Sequence, residues 1–258
     1  MPARGKFIVL EGIDGSGKRT QLEMLARAFA SRGIAFTQIS FPQYDGFFGK
    51  IVARFLNGEF GSLGAVDAHF SALLYAGDRL EAKPQIEAAL TEGQVVLADR
   101  YIGSNLAHQG ARVSCRKRDD FLRWVKQLEY GVYGMPREDL VIYLHMPPSV
   151  AHGLVGQKSA RGYTRLQRDL QEANIAHLET AAEVYDELAR QQNWVRIECA
   201  GAARERIRQV ETRASRRLGR TPRSWKLGAP LLRSPEAIHE EILAAVEARV
   251  LLVLHGNG

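Results

Sequence analysis

Residues 12–20, GIDGSGKRT, constrain this chain more than any other feature. Two glycines separated by four residues, with a lysine straight after the second, form the pattern of a phosphate-binding loop. Its context fits. Residues 6–10, KFIVL, read as a buried parallel strand, and residues 21–31 place Leu22, Leu25, Ala26 and Phe29 at helical spacing. Glycines let backbone N–H groups turn inward around a polyphosphate, and the helix N-terminus adds partial positive charge. Gly12, Ile13, Asp14, Gly15, Ser16, Gly17, Lys18, Arg19 and Thr20 are therefore assigned to a nucleoside triphosphate, with Lys18 neutralising its β- and γ-phosphates. One position departs from the pattern. Where a Ser or Thr hydroxyl ligates Mg²⁺, this chain has Arg19, which cannot coordinate a cation. Either the metal keeps a water there, or Thr20 reaches it, or the site is weakened.

The rest of the chain alternates strand and helix. Strands are expected at 36–40, 94–98, 140–145 and 195–198. Helices are expected at 49–57, 66–90 (broken in two near Lys83-Pro84), 119–130, 170–191 and 235–251. This predicts an α/β, three-layer fold of the P-loop NTPase type, with a mainly parallel five-stranded sheet flanked by helices. Ligands in such folds lie beyond the carboxyl ends of the strands. No stretch is apolar for long enough to span a bilayer, and the short apolar run at the N-terminus reads as a strand rather than a signal peptide. Cys115 and Cys199 lie far apart and outside any CxxC pattern, which suits thiols in a reducing cytoplasm. The net charge of +6 is concentrated in residues 204–233, where nine arginines and one lysine face two glutamates. The basic balance thus describes one segment and not the fold.

Residues 95–98, VVLA, end in Asp99-Arg100-Tyr101. An acid closing a buried strand beside the loop can hold Mg²⁺ or its waters, or polarise the attacking oxygen. Arg100 then faces phosphate, where a planar guanidinium binds two oxygens at once. FIVLEGIDGSGKRTQ, Phe41-Pro42, LLYAGDR at 73–79, DRYIGSNLAHQG at 99–110 and DLVIYLHMPPSV at 139–150 together resemble the thymidylate kinases. The resemblance covers about residues 7–198 and resumes at 233–242. It implies transfer of the ATP γ-phosphoryl group to dTMP with Mg²⁺, in a homodimer. It places Asp14 on the deoxyribose 3′-OH, Phe41 and Pro42 at the pocket floor, Tyr75 on the thymine ring and Arg79 on a base carbonyl. Ser104 and Gln109 fall at the remaining base edge, and Arg100 on the acceptor phosphate. The catalytic set is then Lys18, Asp99, Arg100 and a lid cation, with Asp99 and Thr20 as metal ligands.

Several departures qualify this. Many relatives carry an arginine two places after the Phe-Pro, where this chain has Tyr44; Arg54 or Lys50 on the next helix is the expected replacement. The lid falls at about 155–168, and its Arg161, between small residues, is the favoured mobile cation, with Arg19 the other candidate. Residues 1–199 form the kinase core, 200–232 an arginine-rich insertion, expected as loop outside a basic helix at 204–218, and 233–254 the last helix of the core. A nucleic-acid partner is expected only if the insertion supplies the contact. The competing readings are a kinase for another nucleotide such as dUMP, and a catalytically weak nucleotide-binding regulator.

Overall fold

The structure, a computed structural model, describes residues 3–155, 171, 174–201 and 231–251. The expected lid, with Arg161, and most of the insertion lie outside the described residues.

Five strands form one parallel sheet: β1 (Phe7–Glu11), β2 (Phe36–Ser40), β3 (Val95–Asp99), β4 (Leu140–His145) and β5 (Trp194–Glu198), in the order β2-β3-β1-β4-β5. β1 pairs with β3 on one side and β4 on the other, and its residues are buried throughout. That two-sided burial explains the continuous apolar run FIVL, since a strand covered on both faces has no polar alternation. α1 (Lys18–Ser31) packs with α8 (Pro235–Val246), while α3 (Ala68–Thr91), α4 (Ile102–Gly110) and α7 (Ile175–Leu188) pack as a second group. α2 (Phe47–Leu56) lies on α3 and shares a small apolar cluster with it through Val52, Phe55 and Leu74. α5 (Cys115–Lys126) and α8 continue into wider π turns at Gln127–Val132 and Glu247–Leu251, and α6 (Pro148–Val155) follows β4. The five-stranded α/β expectation is thereby met.

Three local expectations are corrected. α3 runs unbroken through Pro84. Proline there removes the hydrogen bond to the Leu80 carbonyl. Both residues are exposed, so water can satisfy that oxygen, while Ile86, Ala89 and Leu90 beyond the proline are held in the core. Residues 102–110, given no helix from their sequence, form the buried helix α4. The segment from 200 is also less simple than a loop: β6 (Ala200–Gly201) pairs antiparallel with β7 (Leu231–Leu232), so the described ends of the insertion meet.

α3 also carries Asp78, fully buried, whose two oxygens accept from the backbone N–H of Gln43 at 3.0 and 3.1 Å. Burial raises its pKa from 3.8 to about 6, against the opposing effect of that N–H and of Arg79. A carboxyl raised in the folded state loses stabilisation as pH climbs from its unfolded value through its folded one. Asp78→Asn, which keeps an acceptor for Gln43, should therefore melt higher than the parent above pH 6 and close to it at pH 4. Thermal melts across that range check this.

Candidate active site

The site lies where β1 and β3 end. Gly12, Gly15 and Gly17 have φ of 144°, 88° and 90°, in the region that L side chains rarely adopt. At Gly15 space forbids a side chain as well, because a Cβ would stand 2.4 Å from the carbonyl oxygen of Ala151. The Lys18 ammonium folds back over the loop and donates to the carbonyls of Gly12 at 2.8 Å and Ile13 at 3.0 Å. Lys18 is buried, whereas Arg19 and Thr20 are exposed on the first turn of α1. Arg19 pairs with Glu23, one turn on, at 2.9 Å.

Asp99 ends β3, and its Oδ1 is buried with no hydrogen-bond partner among the described residues. A hard carboxylate oxygen without a donor suits a hydrated Mg²⁺. Among the described residues no group of three or more His, Cys, Asp and Glu could hold a metal. A cation here would thus rely on phosphate and water for most of its ligands.

Arg100 follows with φ 70°, the one non-glycine residue with positive φ among those described. Its backbone N–H donates to Leu10 at 2.9 Å. Nη1 donates to the Gly12 carbonyl at 3.2 Å and to Ser104 Oγ at 3.0 Å, and Nη2 to Asp14 at 2.5 Å. Burial opposes the charge, but the Asp14 carboxylate more than compensates, so the guanidinium stays protonated.

Arg100 and Asp14 form one wall of a pocket that opens beside the glycine loop. Phe41, Pro42, Tyr44, Leu56 and Tyr75 line its apolar side, and Phe41-Pro42 is a cis peptide. Arg79 reaches it from α3, held by Glu129 of the π turn in a two-point ion pair at 2.5 and 2.7 Å. Asn105 on α4 donates from Nδ2 to Glu129 and to the Ala72 carbonyl. Both partners are acceptors, which fixes the amide's orientation and leaves Oδ1 buried without a partner among the described residues. Gln109 spends its carbonyl oxygen on Ser71 at 2.8 Å and Arg112 at 2.7 Å, leaving its NH₂ as the group available to the pocket it lines. His108 also lines the pocket, 3.4 Å from Arg100 and 3.4 Å from His177 of α7. Burial, then Arg100, pushes its pKa well below the ordinary 6.5, and burial takes His177 to about 4, so both rings are neutral at pH 7.

The structure thus brings Asp14, Phe41, Pro42, Tyr44, Tyr75, Arg79, Arg100, Ser104 and Gln109 to one pocket. It does not bring Arg54 there. That side chain is exposed, pairs with Glu59 at 2.7 Å and lies over the Phe60 ring; Lys50 is exposed too and does not line the pocket. α2 is anchored by Val52, Phe55 and Leu56, and that packing turns its basic residues outward. The Ser104 hydroxyl is already committed to Glu11, Tyr185 and Arg100. Glu11, Asn105, His108, His177, Glu129 and Tyr185 were not singled out from the sequence. Asn105 and His108 lie between Ser104 and Gln109 at helical spacing, a signal that needs 102–110 to be read as a helix. Glu11 was signalled by a charge at the end of an otherwise apolar buried strand.

A glycine-rich phosphate-loop pattern at a strand-to-helix turn, beside an acid-ended strand and a pocket walled by Arg100 and Asp14, defines a P-loop nucleoside-monophosphate kinase. The family model "Thymidylate kinase" matches residues 10–212. The chain is 36% identical over 164 residues to the thymidylate kinase of Mycobacterium tuberculosis (strain ATCC 25618 / H37Rv), covering 63% of this chain and 73% of that one. It is 30% identical over 199 residues to that of Homo sapiens, covering 76% and 84%. Its fold is similar to the solved thymidylate kinase of Candida albicans, with a TM-score of 0.62 at 19% identity, covering 83% of this chain and 94% of the other. The chain belongs to the thymidylate kinase family.

Two stability measurements test the site's packing. Arg79→Ala strands Glu129 as an uncompensated buried charge and should cost about 3–5 kcal/mol in denaturant unfolding. Arg19→Ser removes only an exposed pair and should change stability by less than about 0.5 kcal/mol.

Proposed function

We propose that this chain transfers the γ-phosphoryl group of ATP to the 5′-phosphate of dTMP, giving dTDP and ADP. The observation that carries this is the reach of Arg100 from β3 to the Gly12 carbonyl and Asp14 carboxylate of the phosphate loop, so that one guanidinium joins donor loop and acceptor pocket. Residues 12–20 hold the ATP phosphates, and Lys18 leaves its loop carbonyls to follow charge onto the transferring group. Catalysis on this reading is positioning and charge neutralisation, with no covalent intermediate.

The pocket's polarity supports a thymine acceptor. Thymine offers an N3–H donor beside two carbonyl acceptors. Asn105 Oδ1 is an acceptor and Arg79 a donor, a complementary set, with Tyr75 as stacking surface. Cytosine presents an acceptor at N3 and a donor amine, which reverses both contacts. Asp14 takes the deoxyribose 3′-OH and Arg100 the acceptor phosphate.

Mg²⁺ is the expected cofactor. Asp99 would hold it directly or through water, with Thr20 the nearest hydroxyl in sequence to the position Arg19 occupies. When bound, the ion neutralises phosphate charge. Arg161 of the lid supplies the remaining cation. Residues 1–199 and 233–254 act as one kinase core interrupted by 200–232. Phe70, Leu73 and Leu80 leave an exposed apolar stripe along α3, which supports a homodimer through that helix. No helix among the described residues is long and apolar enough to cross a membrane. Two cysteines outside any CxxC pattern support a cytoplasmic enzyme, and a nucleic-acid partner is expected only through residues 200–232.

Steady-state turnover of dTMP, dUMP, dCMP and AMP with ATP tests the acceptor. dTMP should be used best and dCMP roughly a hundredfold less well, since each reversed buried hydrogen bond costs about 1–3 kcal/mol. Equal use of dCMP would refute the base assignment, and no turnover with bound ATP would favour a regulatory nucleotide binder. Asp99→Asn should lower kcat by about two orders of magnitude and raise the Mg²⁺ requirement, with dTMP affinity little changed.

A further inference from the structure

Glu11, the last residue of β1, is completely buried. Its Oε1 accepts from the backbone N–H groups of Tyr101 and Ser104, both at 2.9 Å. These are donors at the start of α4, whose own N-cap residue, Tyr101, supplies no side-chain cap. Oε2 accepts from Ser104 Oγ at 2.7 Å and from the Tyr185 hydroxyl at 2.9 Å. The seat is cut to fit: a Cβ on Gly103 would stand 2.8 Å from Oε1.

Two consequences reach Arg100. The end of β1 brackets it, with Leu10 accepting from its own N–H and Glu11 from the next one, both at 2.9 Å. A left-handed L residue persists where its surroundings over-determine it in this way. The second consequence is polarity. A carboxylate only accepts, so the Ser104 proton points at Glu11 at 2.7 Å or at the Tyr185 hydroxyl at 2.9 Å, and a lone pair is kept for Arg100 Nη1 at 3.0 Å. An amide in that place would donate to Ser104 and compete with Arg100 for the same oxygen.

We infer that Glu11 is a positioning residue, which through Ser104 and the strand-end bracket holds the Arg100 guanidinium where the acceptor phosphate meets it. This rests on the reading of Arg100 as the acceptor-phosphate ligand. A neutral cap would serve α4 equally well; the charge is needed to direct the hydroxyl. On balance burial raises the Glu11 pKa above 4.5, and Ser104, Arg100, Tyr185 and the Tyr101 N–H act against that rise.

Calorimetric titration of the full-length Glu11→Gln protein with dTMP and with thymidine, which lacks the phosphate, tests this, together with initial rates in ATP. The dTMP Kd should rise about tenfold, with the thymidine Kd and the KM for ATP within about twofold of the parent. Parallel weakening of dTMP and thymidine, or no change in either, would overturn the inference by leaving Glu11 a purely structural cap. If Glu11→Gln does not fold, Ser104→Ala cuts the same link and must show the same phosphate-selective loss; a loss shared by thymidine counts against it. Arg100→Ala separates the two levels. Selective loss there without selective loss in Glu11→Gln sinks the positioning role alone, whereas no loss of dTMP-over-thymidine preference in Arg100→Ala sinks the Arg100 reading and the inference with it.

Discussion

β1 lies hydrogen-bonded between β3 and β4, and its register sets the geometry of everything above it. Leu10 stands beside Asp99, and Glu11 beside Tyr143. The chain leaving β1 therefore enters the glycine loop alongside the acid that closes β3. A shift of one residue would turn Glu11 away from α4 and Asp99 away from the loop, because alternate residues of a strand face opposite sides. Packing enforces this register, since Phe7, Ile8, Val9 and Leu10 are all fully buried. The site is thus positioned by the apolar core before any polar group contributes.

Above that core sits an unusual density of buried charge. Arg79 is balanced by Glu129, Arg100 by Asp14, and Glu11 by four donors. Charges in a low-dielectric setting are tolerated only when paired and fully hydrogen-bonded, and such networks stiffen what they connect. Two pocket-region oxygens break the pattern among the described residues: Asp99 Oδ1 and Asn105 Oδ1. One lies at the phosphate end, the other at the base end. Acceptors left without partners inside a satisfied network suit a ligand that brings an N–H donor or a positive charge, as the proposed nucleotide and cation would at those two places.

Much of this was legible in the chain. The glycine loop, the buried strand before it, the acid-arginine pair ending β3 and the LLYAGDR segment each carry a local signature, because their chemistry needs particular residues at short spacing. Other parts were not legible. Residues 102–110 contain glycines at 103 and 110 and polar residues at 104, 105, 108 and 109, a composition that argues weakly for helix. Gly103 is needed because Glu11 and Trp194 occupy the space a side chain would take. Pro84 looked like a helix break, yet the core holds the residues beyond it. Arg54 looked like a substitute phosphate ligand, yet the apolar face of α2 turns it outward. In each case a long-range contact outweighed a local preference.

The sequence by itself determined the glycine loop, the α/β class and the family, since these rest on spacing within a few residues and on the apolar alternation of strands and helices. Tertiary structure alone decided how the pocket beside that loop is assembled. Glu11, Arg79, Asn105, Glu129 and Tyr185 come from separate elements, and their pairings close only when β1, α3, α4, the π turn after α5 and α7 meet. No periodicity encodes those meetings. The loop's own odd residue shows the same division: Arg19 was visible at once as a departure, but only the packing of α1 placed it on the exposed face beside Glu23, with Lys18 turned inward over the loop.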